Sequence, residues 1–163
     1  MSKKVAVVMG SDSDLDTMRP CIQRLQSFGI PAEVRVISAH RTPVAAEELA
    51  SDAMENGFGV IIAAAGKAAH LAGVLAAYTT LPVIGVPIKT SMMGGLDSLL
   101  SMVQMPKGIP VACVAVDGAD NAAILAAQML ALSDPTLTDK LAQFKARMAE
   151  EVAAKDRSIT EKL

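Results

Sequence analysis

Three short polar segments of this chain carry the side chains that could do chemistry, and each follows a β-branched, apolar run. They are GSDSD at 10–14, SAHRTP at 38–43 and the end of AAAGKAAH at 63–70. Both histidines of the protein, His40 and His70, lie in these segments. Because imidazole gains and loses a proton near neutral pH, these loops are candidates for acid–base chemistry.

The second segment is the strongest candidate, since it places His40 beside Arg41 just before Pro43. The guanidinium of Arg41 is a planar, permanently charged fork that suits phosphate, and a surface salt bridge is its alternative role. Pro43 would fix the loop geometry at a helix start. For His70, which is followed by Leu71 on a predicted helix of small residues, we expect a buried ring bonded to a backbone carbonyl. Lys67 either faces solvent or reaches an acidic substrate.

The first segment has two interpretations. Ser and Asp are common helix N-caps, and Gly10 allows the tight turn before them. The free N–H groups of a helix start would also suit an anion. Asp14 would repel phosphate, however, and would more naturally accept hydrogen bonds from ribose hydroxyls. The segment lacks both the G-x-G-x-x-G spacing of dinucleotide folds and the P-loop pattern.

Several chemistries are disfavoured by what the sequence lacks. It has no metal-ligand spacing, so we expect no metal, and no G-x-S-x-G to make a serine nucleophile. One Tyr and three Phe are a thin supply of rings for a flavin site. A phosphorelay receiver would need an Asp after its third strand, where this chain has AAAG at 63–66. Cys21 and Cys113 form no C-x-x-C pair, which favours two reduced thiols.

The elements that must position these loops are alternating strands and helices. Short β-branched runs at 5–8, 33–37, 60–62, 83–86 and 111–116 predict strands covered on both faces. Helix-compatible segments lie at 14–28, 43–56, 68–78, 96–105 and 121–132. This alternation predicts a parallel sheet with helices on both faces and a crevice at the carboxyl ends of its strands.

Composition limits the partners. The 163 residues are most simply one domain, 1–163, and the net charge of -2 offers no field for nucleic acid or an anionic membrane. Apolar residues make up 52%, an excess that a subunit interface would hide. The apolar run that follows MSKK is too short for a signal peptide, so we predict a cytoplasmic protein. Charged residues, glycines and prolines interrupt the apolar stretch 60–88, which argues against a membrane span.

A charged helical tail is predicted over 135–163. Its apolar residues are spaced by threes and fours and form one stripe: Leu137, Leu141, Phe144, Met148 and Val152. The stripe packs either on its own domain or on a neighbouring subunit.

Taken together, the loops resemble a known family. GSDSD, SAHRTP and AGKAAHLAG, followed by GLDSLLSMVQMPKGIPVA at 95–112 and NAAILAAQ at 121–128, are similar in order to the N5-carboxyaminoimidazole ribonucleotide mutases of purine biosynthesis. The resemblance implies an α/β, flavodoxin-like three-layer sandwich with a five-stranded parallel sheet. It also implies a homo-octamer, no cofactor or metal, and transfer of a carboxylate from the exocyclic nitrogen of an aminoimidazole ribonucleotide to its ring carbon.

The resemblance also carries roles onto single positions. His40 matches the general acid/base, and the positions matched to substrate binding are Ser11, Ser13, Asp14, Ser38, Arg41, Gly66 and His70. Of these, Ser11, Asp14 and Arg41 would hold ribose and phosphate, and Gly66 and His70 match the third loop around the imidazole. Ala64 and Lys67 depart from the more glycine-rich third loop of the mutases, and Lys67 bears on how closely that loop approaches the base.

Two other functions compete with the mutase. The first is the related carboxylase, which takes free carbon dioxide and aminoimidazole ribonucleotide, although 95–110 resembles the mutase branch more. The second is a non-catalytic sensor of phosphoribosyl ligands. A sensor would need Asp14 and Arg41 but would have no use for His40.

Overall fold

The computed structural model describes residues 3–161 and contains one parallel five-stranded sheet in the order β2-β1-β3-β4-β5. The strands are β1 Lys4–Met9, β2 Ala32–Val36, β3 Phe58–Ala65, β4 Val83–Pro87 and β5 Ala112–Cys113. The helices are α1 Leu15–Phe28, α2 Pro43–Ser51, α3 Leu71–Tyr78, α4 Leu96–Val103, α5 Ala119–Ala131 and α6 Pro135–Thr160.

Two apolar layers cover the sheet, one on each face, as alternating side chains of a strand require. Val5 and Val7 of β1 pack in the cluster that contains α1, α5 and the start of α6. Ala6 and Val8 point the other way, into the cluster of α2, α3 and Met102 of α4. The predicted three-layer α/β fold with a parallel sheet and an additional C-terminal helix is confirmed.

The strand β2 is the exception to burial on both faces. It lies at the edge of the sheet and pairs only with β1, and its Val34 and Val36 side chains are 39% and 54% exposed. The expectation that this apolar run is covered on both faces is therefore wrong. A run of β-branched residues records strand preference, whereas burial depends on the position of the strand in the sheet.

Of the two helix ends predicted from a following glycine, that of α1 is confirmed and that of α2 is not. Gly29 adopts φ 72° immediately after α1, as the sequence indicates. Helix α2 stops at Ser51 and continues as turns, short of the predicted 56. Helix α3 begins at Leu71 instead of 68, because Lys67 adopts φ 59° and the next residues form turns. His70 is thereby left just outside the helix.

The long helix α6 is packed on its own domain only in its first half. Leu137 is 7% exposed, and the Phe144 ring meets Phe28 edge-to-face at a centroid distance of 5.7 Å. Further along, Met148 is 41% exposed and Val152 65% exposed. The apolar stripe of the tail thus divides into a packed part and a part that nothing in residues 3–161 covers.

Within residues 3–161, no helix combines the length and the apolar character needed to cross a membrane. Cys21 and Cys113 are both free, in agreement with the predicted reduced thiols. Burial raises the pKa of Cys21 to about 12.

Candidate functional site

The three polar segments converge on one cleft of about 370 Å³ at the carboxyl ends of β1, β2 and β3. All eight site residues predicted from the sequence line it: Ser11, Ser13, Asp14, Ser38, His40, Arg41, Gly66 and His70. Parallel strands deliver their carboxyl ends to the same edge of the sheet, and this is why segments about 30 residues apart meet here.

The two histidines are in direct contact. His40 Nε2 lies 2.8 Å from His70 Nδ1, and the rings meet edge-to-face with an interplanar angle of 77°. His40 comes from the turn after β2, and His70 from the turn before α3. His70 is exposed to the cleft, so the buried, carbonyl-bonding role expected from its sequence context is wrong.

The short contact restricts the protons of the two rings. A nitrogen–nitrogen distance of 2.8 Å needs one ring to donate and the other to accept. Protons on both facing nitrogens would place two donors against each other. The contact therefore requires a single proton between the two facing nitrogens.

Arg41 is oriented by Ser38. The Ser38 hydroxyl accepts hydrogen bonds from the Arg41 backbone N–H at 3.2 Å and from Arg41 Nε at 3.3 Å. Thr42 closes the same turn, since its hydroxyl accepts from Ser38 N at 3.0 Å. Among residues 3–161, Arg41 has no carboxylate within ion-pair distance. The guanidinium is therefore held on the lining of the cleft by Ser38, without an ion pair in the described part of the chain.

Asp14 presents a carboxyl group with unused acceptor capacity. Ser11, and not an aspartate, caps the 3₁₀ turn Asp12–Asp14 by accepting from Ser13 N at 3.3 Å. Asp14 is 9% exposed and makes no capping bond to α1. Burial raises its pKa above the ordinary value, while hydrogen bonds from Ser13 and Ser11 oppose that shift. The negative charge of Asp117 adds to the rise in pKa.

A fourth loop, which sequence reasoning missed, completes the cleft. Ile88, Lys89 and Thr90 follow β4 and line the same space. The signal was present, because the fourth predicted strand also ends at this edge, but its loop contains no histidine or arginine to draw attention. Lys89 joins Lys67 and Arg41 on the lining of the cleft, so cationic side chains there outnumber the single carboxylate of Asp14.

A second cleft, of about 450 Å³, lies at the opposite end of the sheet beside Phe28, Leu130 and the start of α6. Its lining contains no histidine or arginine, and the ammonium group of Lys140 is engaged with the Phe28 carbonyl at 2.6 Å. The histidine cleft is the smaller of the two, but its lining combines both histidines with Arg41 and two lysines.

A parallel α/β sheet whose carboxyl edge carries a cleft with two contacting histidines and an arginine is the arrangement in which enzymes of the open-sheet class bind small molecules. Residues 4–151 match the AIR carboxylase family. The chain belongs to that family.

Relatives support this assignment along nearly the whole chain. An N5-carboxyaminoimidazole ribonucleotide mutase of Pyrococcus horikoshii is 52% identical over 96% of this chain and 89% of its own length. One from Mycobacterium tuberculosis is 55% identical over 94% and 88%. A chloroplastic phosphoribosylaminoimidazole carboxylase of Vigna aconitifolia is 50% identical over 93% of this chain, but over only 27% of its own length.

The fold agrees with that of a known crystal structure. Treponema denticola PurE superposes with a TM-score of 0.88 at 27% sequence identity, and the match covers 96% of this chain and 98% of that one.

Proposed function

We propose that this chain is the mutase that converts N5-carboxyaminoimidazole ribonucleotide to 4-carboxy-5-aminoimidazole ribonucleotide, with residues 1–163 acting as a single catalytic domain and no cofactor. The observation that carries the proposal is the 2.8 Å contact of His40 with His70, in a cleft that also holds Arg41 and Asp14. Relatives bearing the mutase name are 52–55% identical to this chain over 93–96% of its length.

The cleft divides by chemistry into three parts. Arg41, set by Ser38, takes the phosphate through charge-assisted hydrogen bonds. The Asp14 carboxylate accepts from the ribose hydroxyls, and Ser11 and Ser13 add hydroxyls beside it. The aminoimidazole ring then lies near the histidine pair and Gly66.

The reaction needs one group that gives a proton and then takes one. His40 protonates the exocyclic nitrogen while the N–C bond of the carbamate breaks and carbon dioxide leaves. The ring carbon attacks the captive carbon dioxide, and a new C–C bond forms. His40 then accepts the proton of that ring carbon, so its protonation state is restored. His70 stabilises the protonated form of His40 by accepting from it.

The lining of the cleft is suited to retaining carbon dioxide between its release from nitrogen and its capture by the ring carbon. Ala65 is 7% exposed, and Gly66, Ala68 and Leu71 also line the space, so this side offers small or apolar groups. Held carbon dioxide is present at a far higher effective concentration than dissolved gas. The apolar part of this wall also limits the escape of carbon dioxide to water.

The direct carboxylase is the second candidate, favoured by the 50% identity to the Vigna carboxylase. To separate the two, the purified chain is incubated with each nucleotide, with and without ¹³C-bicarbonate. We expect conversion of the carbamate without added bicarbonate and little label in the product. Rapid use of aminoimidazole ribonucleotide with labelled carbon dioxide, and none of the carbamate, would assign the carboxylase. Binding without turnover of either would assign a sensor.

The proposal extends to assembly and location. We propose a cytoplasmic homo-octamer, supported by large apolar side chains that residues 3–161 leave uncovered. On and around α4, Met92 is 58% exposed, Met93 78%, Leu100 45% and Val103 50%. Such an apolar surface is characteristic of a subunit contact.

A further inference from the structure

The third loop of the cleft contains a backbone conformation that its sequence does not favour. Lys67 adopts φ 59°, in the left-handed region where a residue with a β-carbon is destabilised relative to glycine. Two short hydrogen bonds connect this residue to His70. Ala69 N donates to Lys67 O and His70 N donates to Ala68 O, both at 2.9 Å. The backbone of Lys67 therefore sets where His70 stands.

One buried hydroxyl holds this backbone. Ser98 of α4 is 0% exposed, and its Oγ accepts from Lys67 N at 3.0 Å. The same hydroxyl donates its single proton to Ile88 O, 2.8 Å away in the fourth loop. Ser98 thus joins two lining loops of the cleft, although Ser98 does not itself line it.

The start of α4 is built to reach both loops. Gly95 adopts φ 104°, and a β-carbon there would lie 3.3 Å from Ile88 O and 3.2 Å from Lys89 Cα, so only glycine allows this approach without a shift. Asp97 then accepts from the Thr90 hydroxyl at 2.6 Å. The first turn of the helix is consequently fixed against the fourth loop, which gives Ser98 a firm base.

We propose that Ser98 is a positioning residue for the proton-transfer pair. It holds Lys67 in the left-handed turn, this turn places His70, and His70 contacts His40. The inference rests on the proposed mutase function. It predicts an effect on turnover more than on substrate binding, because Arg41 and Asp14 belong to other loops.

The first test is Ser98→Ala, with Ser101→Ala as the matched control one turn further along α4. We expect kcat to fall ~10-fold or more while KM changes less than about 3-fold, since small displacements of reacting groups are costly. Ser101 donates mainly to Asp97 O at 2.7 Å, with Lys67 O at 3.4 Å, so its removal should leave kcat nearly unchanged. Equal losses in the two variants would overturn the proposal.

The second test is rescue by Lys67→Gly, because glycine adopts the left-handed conformation without needing the hydrogen bond to Ser98. We expect Ser98→Ala to cost less than about 3-fold in kcat when it is combined with Lys67→Gly, against ~10-fold in the chain that keeps Lys67. Lys67→Ala is the control for loss of the ammonium group, because it removes this group but keeps a β-carbon; its effect on kcat is measured separately. A full 10-fold loss in both backgrounds would show that Ser98 acts through something other than this turn.

The third test does not need activity. Amide hydrogen exchange at Lys67 in the unliganded full chain should be faster by ~10-fold or more in Ser98→Ala than in the unmutated chain or Ser101→Ala. Ser98→Cys, which keeps a weak donor and acceptor in the same space, should be intermediate and serves if the alanine variant does not fold. Unchanged exchange would show that Ser98 does not hold the Lys67 turn. If the unmutated chain is inactive but exchange at Lys67 is faster in Ser98→Ala, the mutase function is wrong, whereas the hydrogen bond from Lys67 N to Ser98 still holds the turn.

Discussion

At the scale of single residues, the proposed proton transfer depends on His40, whose Nε2 contacts His70 Nδ1 at 2.8 Å. Substitution of His40 by Asn keeps a polar side chain but removes the imidazole, which is the general acid/base of the proposed reaction. We expect His40→Asn to lower kcat by ~10²-fold or more, with substrate affinity changed only a few-fold. Rapid-quench kinetics and calorimetric binding measure the two quantities. Near-normal turnover would rule out His40 as the acid/base.

Arg41 is predicted to bind the substrate phosphate, because Ser38 orients it and no carboxylate in residues 3–161 pairs with it. Arg41→Ala should weaken binding of the nucleotide by about 1.5–3 kcal/mol, the range for a charged hydrogen bond. Arg35→Ala is the control, since Arg35 pairs with Glu33 at 3.5 Å and lies outside the cleft.

The comparison of ligands sharpens this prediction. The unmutated chain should bind the nucleoside, which lacks phosphate, much more weakly than the nucleotide, and Arg41→Ala should reduce that difference. If nucleotide and nucleoside bind the unmutated chain equally well, the phosphate role of Arg41 is wrong.

Asp14 gives a prediction about pH. Burial raises its pKa in the folded chain, so folding binds this proton more tightly and the ionised carboxylate costs stability. The favourable contribution is present at low pH and is lost as the pH rises through the folded pKa. We expect Asp14→Asn to melt at a higher temperature than the unmutated chain at pH 7, with a smaller difference near pH 4.

The same substitution should weaken ligand binding, because a neutral amide accepts the ribose hydroxyl hydrogen bonds less strongly than a carboxylate. Asp16→Asn is the control, because Asp16 is exposed on α1 and pairs with Arg19. A stability difference that does not depend on pH would contradict burial of the Asp14 charge as the cause.

At the scale of elements, α6 contains two different surfaces. Leu137 and Phe144 pack on the domain, and Arg24 stacks on the Phe144 ring at 4.5 Å, whereas Met148 and Val152 are exposed. Removal of residues 148–163 should therefore leave the melting temperature of the domain nearly unchanged but lower the mass of the assembly. Calorimetry and light scattering measure the two effects.

A longer truncation is the control for this experiment. Removal of everything after Leu132 also deletes the packed half of α6 and should lower the melting temperature, because Leu137 and Phe144 are lost from the core cluster. If the chain that lacks 148–163 keeps the full assembly mass, the exposed stripe of α6 takes no part in subunit contacts.

At the scale of the whole molecule, apolar residues amount to 52% of the chain and several large ones remain exposed on one domain. Burial in a symmetric assembly would remove this surface from water. We expect light scattering at micromolar concentration to give a mass near eight times 16.9 kDa. A monomer mass would contradict the assembly, and Met93→Lys, at a side chain that is 78% exposed, should shift the mass downward if the α4 surface is a contact.

The sequence alone determined the order of the elements and the three segments with chemical side chains. Strand and helix preferences are local, so the β-branched runs and the terminal glycine of α1 sufficed to predict a parallel α/β sheet. Because such a sheet aligns the carboxyl ends of its strands, the meeting of Ser38, Arg41 and Asp14 in one cleft was also predictable. Because several sequence motifs match those of the mutases in the same order, the family was also predictable from the sequence.

Only the tertiary structure decided how these groups act on one another. The contact of His70 with His40, the exposure of β2 and the split of α6 depend on neighbours distant in sequence, which local preference does not encode. Ser98 is the clearest case. It lies in a helix far along the chain, in a segment that the sequence distinguishes only by its family resemblance. Its contacts to Lys67 and Ile88 form only when two loops fold against α4.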